Sequence, residues 1–488
     1  MKRTFLSFIP LLTFLFSAAQ APPGLSLIRE QDLKSDLYTM ADAHFQGRSA
    51  GTLDELKSAQ WLAEKYRAIG LKPAGDDGTF FQYFNLWRNQ LSATTSISLN
   101  GEPLMLWQDV SVQQMAAIDL DASVVYLGDA ITVDTSRQDL QGKVVAIVAN
   151  STGLNRNTSL PTWRYNTLVN NRYGMPMIRH GAAAIIFIAD PFAEEAWADV
   201  SENYKRGIYD IDGGPNHFVT ARAPVFWVHG NRKDAIATGN AKFIAHLRID
   251  HYTYPSVNVV GIAPGKDPVL SKEYVVYSGH HDAHGIRNAQ NGDSIYYGAD
   301  DNASVDVAML SSARAFIKFP GRRSVLFISH GAEERGLFGS RYYSAHPTLP
   351  IGSLVAVLNG DMIGRNSTDT ASLMGSTAPH RNSIDLARMA FEANNEGPRF
   401  KIDSSWDVPG HVEFWYFRSD HAPYARLGIP ALMYSSNLHP EYHTPLDRAD
   451  HINYPKLKKM ADWMYRTGWK VANADKRPGG DPQFKLER

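Results

Sequence analysis

The sequence predicts an α/β protein in which helices flank a mostly parallel sheet and a smaller module is inserted ahead of most of that sheet. From Tyr254 onward, short runs rich in β-branched residues alternate with helical stretches, the pattern of strands joined by crossover helices. Between Trp107 and Leu247 the apolar runs are separated by turns rich in Gly, Asn and Asp, which indicates a second core. Potential metal ligands follow several strands directly, as expected where the carboxyl ends of parallel strands meet.

Composition limits the class of protein. At 488 residues the chain is too long for one ordinary core, so we expect two domains or one large domain with an insert. A formal charge of −1 gives no indication of binding to nucleic acid or to an anionic membrane. The absence of cysteine excludes disulfides, thiolate ligands, a cysteine nucleophile and a lipoprotein anchor, so any metal must be held by His, Asp and Glu.

Residues 1–20 have the features of a secretory signal peptide. A basic start precedes an apolar run from Phe5 to Phe16, and the small residues that follow predict cleavage after Ala19 or Ala21. The run is shorter than the roughly 20 residues of a membrane span, which makes a membrane anchor the weaker interpretation. We therefore expect an exported protein, periplasmic or extracellular, with no membrane span in the mature chain. The oligomeric state is not predicted.

The mature chain divides into four parts by pattern. Residues 21–106 are expected to form the N-terminal part of the larger domain, including a helix that begins at a Thr52–Glu55 capping box and ends at Gly70. Residues 107–250 are expected to form the inserted module, because no cluster of titratable residues follows its strands. Residues 251–474 carry the repeated strands and helices, and residues 475–488 are expected to be a flexible tail.

Potential metal ligands lie just beyond successive predicted strands of residues 251–474. They are His280 and Asp282, Asp300 and Asp301, Glu333 and Glu334, Asp361, and His443. In a parallel sheet these strand ends point to one edge, so residues far apart in sequence meet in one crevice. Imidazole and carboxylate without thiolate suit zinc, manganese or cobalt. The carboxylates exceed what one ion needs, which suggests two ions bridged by one acid.

Six segments resemble, in order and spacing, the motif set of the zinc aminopeptidases of peptidase family M28. They are GHHD, GADDNAS, GAEERGLFGS, NGDMIG, SDHAPYARLGIPA and YHTPLD. The resemblance covers roughly Val257–Ala472 and, more weakly, Ala43–Gln82. The middle module resembles a protease-associated (PA) domain by position more than by motif. For the larger domain the resemblance implies a phosphorylase/hydrolase-like fold and two Zn²⁺ per chain.

The resemblance also implies a role for each ligand position. Asp301 corresponds to the bridging carboxylate, with Asp300 as its neighbour; the alternative is that Asp300 is the ligand. Beyond Asp301, one zinc site would hold His280 and Asp361, and the other would hold Glu334 and His443. Three carboxylates against two divalent ions leave one net positive charge, which favours a bound hydroxide.

Three further residues correspond to catalytic positions. Glu333 would be the general base and must stay off the metal; the alternatives are an exchange of roles with Glu334 and an exposed helix start, where acids are favoured. Asp282 is expected to accept the other imidazole N–H of His280 and so fix its tautomer, unless it is a turn residue. Tyr442 resembles a phenol that stabilises the tetrahedral oxyanion, with an ordinary packed tyrosine as the alternative.

One position departs from the family pattern. Val305 stands where the family has a glycine, and its side chain could crowd the helix near Asp301. Every ligand position is nevertheless filled, unlike in degenerate relatives that serve as receptors. The sequence Ser419-Asp420-His421 contains the residue types of a serine hydrolase triad, but adjacent residues do not form a triad by sequence alone. We expect it to shape a loop at the substrate pocket.

These observations predict an exported binuclear zinc aminopeptidase that hydrolyses N-terminal residues from peptides. A carboxypeptidase or dipeptidase on the same metal core is the first alternative, with Arg335, Arg365 and Arg418 as candidates to grip a substrate carboxylate. A non-catalytic binding protein built on the PA-like module, and zinc-dependent glutaminyl cyclisation, are weaker alternatives. The loop Asp403–Tyr416 has aromatic residues that could line the pocket for the substrate side chain, although packing explains them equally well.

Overall fold

The computed structural model of the chain describes residues 21–136, 138–154 and 161–487. The signal peptide predicted over residues 1–20 lies outside the described residues. None of the helices in these ranges combines the length and the apolar character that crossing a bilayer requires.

The described chain contains the following strands and helices, numbered in chain order. The strands are β1 (Lys72–Pro73), β2 (Phe81–Leu91), β3 (Ser96–Leu99), β4 (Glu102–Pro103), β5 (Val110–Gln114), β6 (Ile118–Asp129), β7 (Val144–Val148), β8 (Ala184–Ile188), β9 (Ile208–Ile211), β10 (Val225–Val228), β11 (Lys242–Leu247), β12 (Ile249–Ala263), β13 (Tyr274–His280), β14 (Gly285–Gln290), β15 (Asp293–Tyr296), β16 (Ser324–His330), β17 (Leu354–Gly360), β18 (Thr370–Met374), β19 (Lys401–Ile402) and β20 (Ala431–Ser435). The helices are α1 (Glu30–Met40), α2 (Leu53–Ile69), α3 (Pro161–Val169), α4 (Met175–Arg179), α5 (Pro191–Lys205), α6 (Lys233–Ile236), α7 (Ser304–Lys318), α8 (Phe338–Ala345), α9 (Ile384–Glu396), α10 (His421–Arg426) and α11 (Tyr454–Asn473).

The larger sheet has the strand order β19-β18-β20-β17-β13-β16-β12-β2-β9, with β1 paired to β12. The predicted α/β fold is confirmed. Parallel pairing joins the four central strands β20, β17, β13 and β16. The flanks are antiparallel, because β12 runs back along β16 and forms a long ribbon with β2. The sheet is therefore mixed, and its parallel centre is the part that positions the predicted ligands.

The central strands are buried on both faces, which explains their unbroken apolar sequences. Residues of β13, β16 and β17 are buried along almost their whole length. Side chains on one face pack against α1, α2, α7, α9 and α11, as Val275 and Tyr277 do. The alternate side chains, such as Val276, pack on the other face with Tyr343 of α8 and Tyr424 of α10. The sheet is thus the middle layer of three.

Val305, the departure from the family pattern, fits between two glycines. A methyl group added at Gly279 in β13 would lie 2.6 Å from a Val305 methyl, and one added at Gly360 in β17 would lie 2.8 Å from both Val305 methyls. Val305 itself is fully buried at the start of α7. The two strands therefore leave the space that the valine fills, and the helix is not crowded there.

The inserted module has its own eight-stranded sheet, ordered β4-β3-β11-β6-β7-β8-β10-β5. The boundary predicted at residue 107 is too late, because β3 (Ser96–Leu99) pairs with β11 and β4 pairs with β3 inside this sheet. The strand β9, which lies within the module's span of sequence, instead pairs with β2 of the larger sheet. A segment from the module's span of sequence is therefore part of the larger sheet.

The C-terminal segment predicted to be a flexible tail packs on the larger domain as far as Glu487. The buried carboxylate of Asp481 lies 2.7 Å from Arg381 Nε, and the Lys485 N–H donates to the Pro379 carbonyl. Glu487 Oε2 lies 2.8 Å from His380 Nε2. These pairs tie a polar, Pro- and Gly-rich sequence to the domain, so the expectation of a loose tail is wrong over the residues described.

Candidate active site and metal centre

The predicted ligands converge at the carboxyl edge of the parallel strands. His280 is the last residue of β13, Asp361 follows β17, and Glu333 and Glu334 lie in the turn after β16. The remaining two ligands come from loops: Asp301 precedes α7, and His443 follows β20. Because β13, β16, β17 and β20 are parallel neighbours, their ends meet, as the sequence predicted.

Asp301 lies between two groups of potential ligands. In the first group, His280 Nε2 lies 3.2 Å from Asp301 Oδ1 and 3.9 Å from Asp361 Oδ2. In the second, His443 Nε2 lies 3.1 Å from Asp301 Oδ2 and 3.4 Å from Glu334 Oε2. Each carboxylate oxygen of Asp301 thus faces a different histidine. This is the arrangement that one carboxylate shared by two metal ions requires.

The second group contains a histidine that the sequence reasoning missed. His284 Nε2 lies 3.2 Å from Glu334 Oε2, and the His284 ring stands perpendicular to that of His443 with centroids 3.9 Å apart. His284, Glu334 and His443 each offer one donor atom within 4.8 Å of the others. His284 is buried, and neither of its ring nitrogens has a hydrogen-bond partner. In the sequence, the third histidine of the segment GHHDAH could have indicated this additional ligand.

The electrostatics of the site reflect crowded, buried acids. Burial raises the pKa of Asp361 to about 7, and the negative charge of Asp301 adds to this effect. Burial also raises the pKa of Glu333 well above its ordinary value. The pKa of Asp301 lies below its ordinary value, because the imidazoles of His280 and His443, whose Nε2 atoms lie 3.2 and 3.1 Å from its oxygens, favour the charged carboxylate and outweigh its burial. Acids packed this closely are neutralised either by binding protons or by binding metal cations.

The donor set fits a pair of divalent cations. It consists of carboxylates and imidazoles, the ligands of zinc sites that lack thiolate. His280 Nε2 and Glu334 Oε1 are buried without a hydrogen-bond partner, as are both nitrogens of His284. Buried polar atoms are costly when unsatisfied, so orphaned donors that point at one another indicate a ligand between them. His280, Asp301, Asp361, Glu334 and His443 are the residues that could hold the metals, with His284 beside them.

Glu333 lies at the site but outside both groups of ligands. Its Oε2 is 3.7 Å from His280 Nε2, and its side chain lines the open cleft beside the ligands. Glu334, by contrast, points into the second group. Of the two acids, Glu334 is therefore the one that lies in a ligand group, and the role of Glu333 as base stays a prediction.

The contact predicted for Asp282 is made by a different atom. His280 Nδ1 lies 3.1 Å from the main-chain carbonyl of Asp282, whereas the Asp282 carboxylate is 3.7 Å away, too far for a hydrogen bond. That carboxylate instead accepts the backbone N–H groups of Glu333 at 2.9 Å and Glu334 at 3.3 Å. The expected carboxylate–imidazole contact is therefore corrected: the Asp282 carbonyl orients His280, and its carboxylate fixes the turn that carries base and ligand.

Asp300 points away from the ligand groups. Its Oδ1 accepts the Gly364 N–H at 2.6 Å, and its Oδ2 lies 3.5 Å from His439. The alternative that Asp300 is the ligand is thus not what the geometry favours. The backbone N–H groups of Asp300 and Asp301 donate to the carboxylate of Asp447, at 2.8 and 3.0 Å, so Asp447 holds the ligand loop in place.

Tyr442 is positioned by a cation and by a ligand ring. Its hydroxyl accepts a hydrogen bond from Arg418 Nη2 at 2.6 Å, and its ring stacks on His443 with centroids 3.6 Å apart. The phenolic proton is therefore available for donation to another acceptor. Tyr442 and Arg418 both line the cleft. The third arginine candidate, Arg365, is engaged in an ion pair with Glu441.

Arg48 is a second residue whose importance the sequence did not indicate. Its buried guanidinium donates to the carbonyls of His281 (2.7 Å), Gly298 (2.8 Å), Tyr297 (2.7 Å) and Met40 (2.9 Å). His281 lies between two site residues, and Gly298 starts the loop that leads to Asp301. One side chain thus joins the N-terminal segment to two ligand-bearing loops.

A cleft of about 750 Å³ opens beside the metal centre. Its walls come from both domains, including Asn203 in α5 of the inserted module and Glu333, Tyr442 and His443 from the larger domain. The aromatic loop residues Trp406, Trp415 and Tyr416 do not line it, because they pack in a separate core with Met362 and Met433. The aromatic pocket suggested by the sequence is therefore internal packing.

The serine hydrolase interpretation finds no assembled triad among the described residues. The Ser419 hydroxyl accepts a hydrogen bond from the Asn359 amide at 2.7 Å, and His421 starts α10 with no hydrogen-bond partner on either ring nitrogen. The segment Gly47–Gly51 has the spacing G-x-S-x-G, but the hydroxyl of Ser49 accepts a hydrogen bond from Arg335. Neither serine has the contact to a basic histidine that activation requires.

Residues 258–467 match the family model of peptidase family M28. This segment belongs to peptidase family M28. The match includes every predicted ligand and both acids of the Glu333–Glu334 pair.

Curated relatives align with about half of this chain. Aminopeptidase YwaD of Bacillus subtilis is 26% identical over 244 residues, covering 48% of this chain and 49% of that protein. A probable leucine aminopeptidase of Arthroderma otae is 28% identical over 239 residues, covering 47% of this chain and 61% of that protein. The chain thus spans about half the length of YwaD.

Solved structures share the fold over nearly the whole chain. BSAP, a zinc aminopeptidase from Bacillus subtilis, has a TM-score of 0.59 at 18% identity, covering 94% of this chain and 99% of that one. The aminopeptidase from Aneurinibacillus sp. strain AM-1 has a TM-score of 0.58 at 19% identity, covering 93% of this chain and 96% of that one. The likeness extends over both domains and concerns the fold.

Proposed function

We propose that this protein is an exported binuclear zinc aminopeptidase that removes N-terminal residues from peptides. The observation that carries the proposal is Asp301, whose two carboxylate oxygens face His280 and His443 in two adjoining groups of ligands. Membership of the 258–467 segment in peptidase family M28 supports peptide hydrolysis, and the names of the relatives support zinc and the amino-terminal direction.

The metals and the protein would divide the chemistry between them. His280, Asp301 and Asp361 would hold one zinc ion, and Asp301, Glu334 and His443 would hold the other. Bound zinc would supply Lewis-acid polarisation of the scissile carbonyl and would acidify the attacking water.

Glu333 acts as the general base and later as the general acid. It accepts the proton of the attacking water and passes it to the leaving amine. Asp282 supports this role by holding the backbone N–H groups of Glu333 and Glu334, which fixes the turn.

Tyr442 stabilises the negative charge that develops on the carbonyl oxygen. Arg418 donates to the Tyr442 oxygen, which makes the phenolic proton a stronger hydrogen-bond donor. Stacking on His443 keeps the phenol beside the metal centre. Exclusion of water follows from burial of the ligand groups at the base of the cleft.

Two further parts of the proposal concern the rest of the chain. Export rests on the signal-like sequence of residues 1–20 and is tested by determining the N-terminus of the mature protein, expected at residue 20 or 22. We also propose that the inserted module is PA-like and forms part of the substrate cleft, since Asn203 in α5 and Arg206 just after it line that cleft.

The test is turnover of a panel of aminoacyl-p-nitroanilides beside N-acetylated and C-terminally blocked peptides. Activity is measured before and after chelation, after zinc is added back, and in Glu333→Gln, with bound zinc counted by elemental analysis. Cleavage that needs a free N-terminus, stops on chelation, returns with zinc and is lost in Glu333→Gln is expected. Absence of both turnover and bound zinc would overturn the proposal.

A carboxypeptidase or dipeptidase remains the second candidate, because the same cleft is lined by arginines that have no carboxylate partner among the described residues. In the same assay it predicts cleavage that needs a free C-terminus. A peptide blocked only at its C-terminus would then resist hydrolysis, whereas an aminopeptidase would cleave it.

A further inference from the structure

The cleft beside the metal centre is strongly basic on one side. Six arginines line it: Arg164, Arg206, Arg287, Arg335, Arg341 and Arg418. The acidic residues that line it are Glu333 and Glu334, which belong to the metal centre, and Asp199, which accepts a hydrogen bond from Asn288. The arginines therefore outnumber the acids, and they come from both domains.

Three of the six arginines have carboxylate neighbours. Arg418 and Arg164 both pair with Glu413, at 2.9 and 3.1 Å, and Arg341 lies 3.6 Å from Asp210. Each of these three arginines thus has a carboxylate neighbour within the protein, although Arg418 and Arg164 share one. They shape the cleft without needing a ligand.

The other three, Arg206, Arg287 and Arg335, form what we call the arginine wall. Within the part of the chain that the structure describes, none of them has a carboxylate within 4.0 Å. Arg335 donates to the Ser49 hydroxyl at 2.9 Å and lies over the Tyr209 ring, and Arg287 lies over the Tyr296 ring. These contacts are to neutral groups and leave the positive charges uncompensated.

The wall is partly desolvated. Arg206 Nη2, Arg287 Nε and Arg335 Nε are buried and make no hydrogen bond. Burial, and then the positive charge of Arg287, lower the pKa of Arg206 to about 10. Buried charges are normally paired, and guanidinium groups prefer the planar oxygens of a carboxylate. Three positive charges that lie together with no carboxylate partner among the described residues indicate a binding site for an anion.

The wall lies next to the reacting groups. Arg335 follows Glu334 directly in the turn after β16, and Arg287 lies in β14 close to His284. Arg206 comes directly after α5 of the inserted module. All three share one cleft with Glu333 and Tyr442. A substrate that reaches the metal centre through this cleft therefore passes or contacts the wall.

We propose that the arginine wall binds a carboxylate of the peptide substrate, so that the enzyme prefers substrates with an acidic group close to the scissile bond. The proposal rests on the peptidase function proposed above. Two sources supply such a carboxylate: the side chain of Asp or Glu, and the free C-terminus of a dipeptide. The wall supplies binding and orientation, whereas the metal centre and Glu333 carry the chemistry.

The experiment compares charged substrates with neutral isosteres on the zinc-loaded enzyme. One arm compares Glu-p-nitroanilide with Gln-p-nitroanilide, and the other compares Ala-Ala with its C-terminal amide. Leu-p-nitroanilide, which carries no carboxylate, reports peptidase function alone. The variants are Arg206→Gln, Arg287→Gln and Arg335→Gln, with Arg388→Gln as control, because Arg388 lies exposed on α9 in a pair with Glu392.

In at least one arm, we expect kcat/KM for the acidic substrate to exceed that for its isostere by roughly tenfold or more, mainly through KM. Each wall variant should reduce that ratio by about tenfold, and Arg388→Gln should leave it unchanged. A preference in the first arm identifies the side chain as the source, and one in the second arm identifies the C-terminus. Equal kcat/KM within both pairs would overturn the inference while Leu-p-nitroanilide turnover still upheld the peptidase.

A binding measurement keeps the inference testable without turnover. Calorimetry on zinc-loaded Glu333→Gln would compare glutamate with glutamine, and Ala-Ala with its amide. Tighter binding of the acidic member, lost in Arg287→Gln, supports the wall; equal binding of both members refutes it. In Arg287→Glu the preference should shift toward Lys-p-nitroanilide, a gain that a merely damaged cleft would not show.

Discussion

Replacing Arg48 by methionine should destabilise the larger domain and weaken its metal centre. The side chain is fully buried, and its four hydrogen bonds of 2.7 to 2.9 Å end on main-chain carbonyls. Methionine fills a similar volume but donates no hydrogen bond, so the carbonyls of His281, Tyr297 and Gly298 lose a partner inside the protein. Each unsatisfied buried group costs about 1 to 3 kcal/mol.

The net loss should be smaller than the sum of those costs, because desolvating the guanidinium offsets part of the gain. We expect the free energy of unfolding to fall by about 3 to 5 kcal/mol, the usual result when one partner of a buried charged network is removed. The measurement is a urea titration of zinc-free Arg48→Met, followed by tryptophan fluorescence. Zinc content after dialysis should also fall, because the loops leading to His281 and Asp301 lose their common anchor.

The control is Arg29→Met, since Arg29 is 65% exposed and pairs with Asp32 on the surface. That variant should cost less than about 1 kcal/mol. If the two variants unfold at the same urea concentration, the four carbonyls have found other partners, and the anchoring role of Arg48 is refuted.

Three further predictions test separate parts of the structure. His284→Phe should weaken binding at the second metal site by at least about tenfold, measured by competition with a chelator, and full retention of affinity would mean that His284 is only packed there. Asp447→Asn should lower zinc affinity by roughly 10- to 100-fold by loosening the ligand loop, and unchanged zinc titrations would rule this out. The carboxylates of Asp407 and Glu487 raise the pKa of His380 against the effect of burial. Protonated His380 should therefore stabilise the folded protein relative to the His380→Gln variant. This stabilisation should be full below about pH 6.5, where the unfolded histidine is also protonated, and should disappear as the pH rises through the raised pKa. Thermal midpoints of the two proteins that differ equally at acid and alkaline pH would contradict this.

Most of the site could be predicted because these residues end a strand or come soon after one. His280, Asp361 and the Glu333–Glu334 pair end apolar runs that are buried on both faces, and parallel pairing brings such ends together whatever lies between them. His284 could not be assigned in the same way. It reaches the second ligand group only because the chain turns after β13 and faces its ring toward His443, and no periodicity of the sequence expresses that turn.

Contacts between separate elements were also beyond prediction. Arg48 looks like any basic residue in an irregular segment, and its role depends on four carbonyls from three parts of the chain. The start of the inserted module was misplaced because β3 alternates like a strand of either sheet, and only its partner β11 decides its membership. The C-terminal residues were polar enough to predict a loose tail, yet the ion pair of Asp481 with Arg381 holds them.

The cleft places a site that favours cations next to a site that favours an anion. Buried acids at the strand ends favour cations, and the uncompensated arginines of the wall favour an anion. A peptide whose amino terminus is positive and which carries a carboxylate a short distance away satisfies both. One of the three arginines of the wall, Arg206, comes from the inserted module, so that module contributes a charged side chain to the cleft. Removing Arg206 alone should therefore change which substrates are chosen while leaving the metal centre intact, and this separates selection by the module from catalysis by the sheet edge.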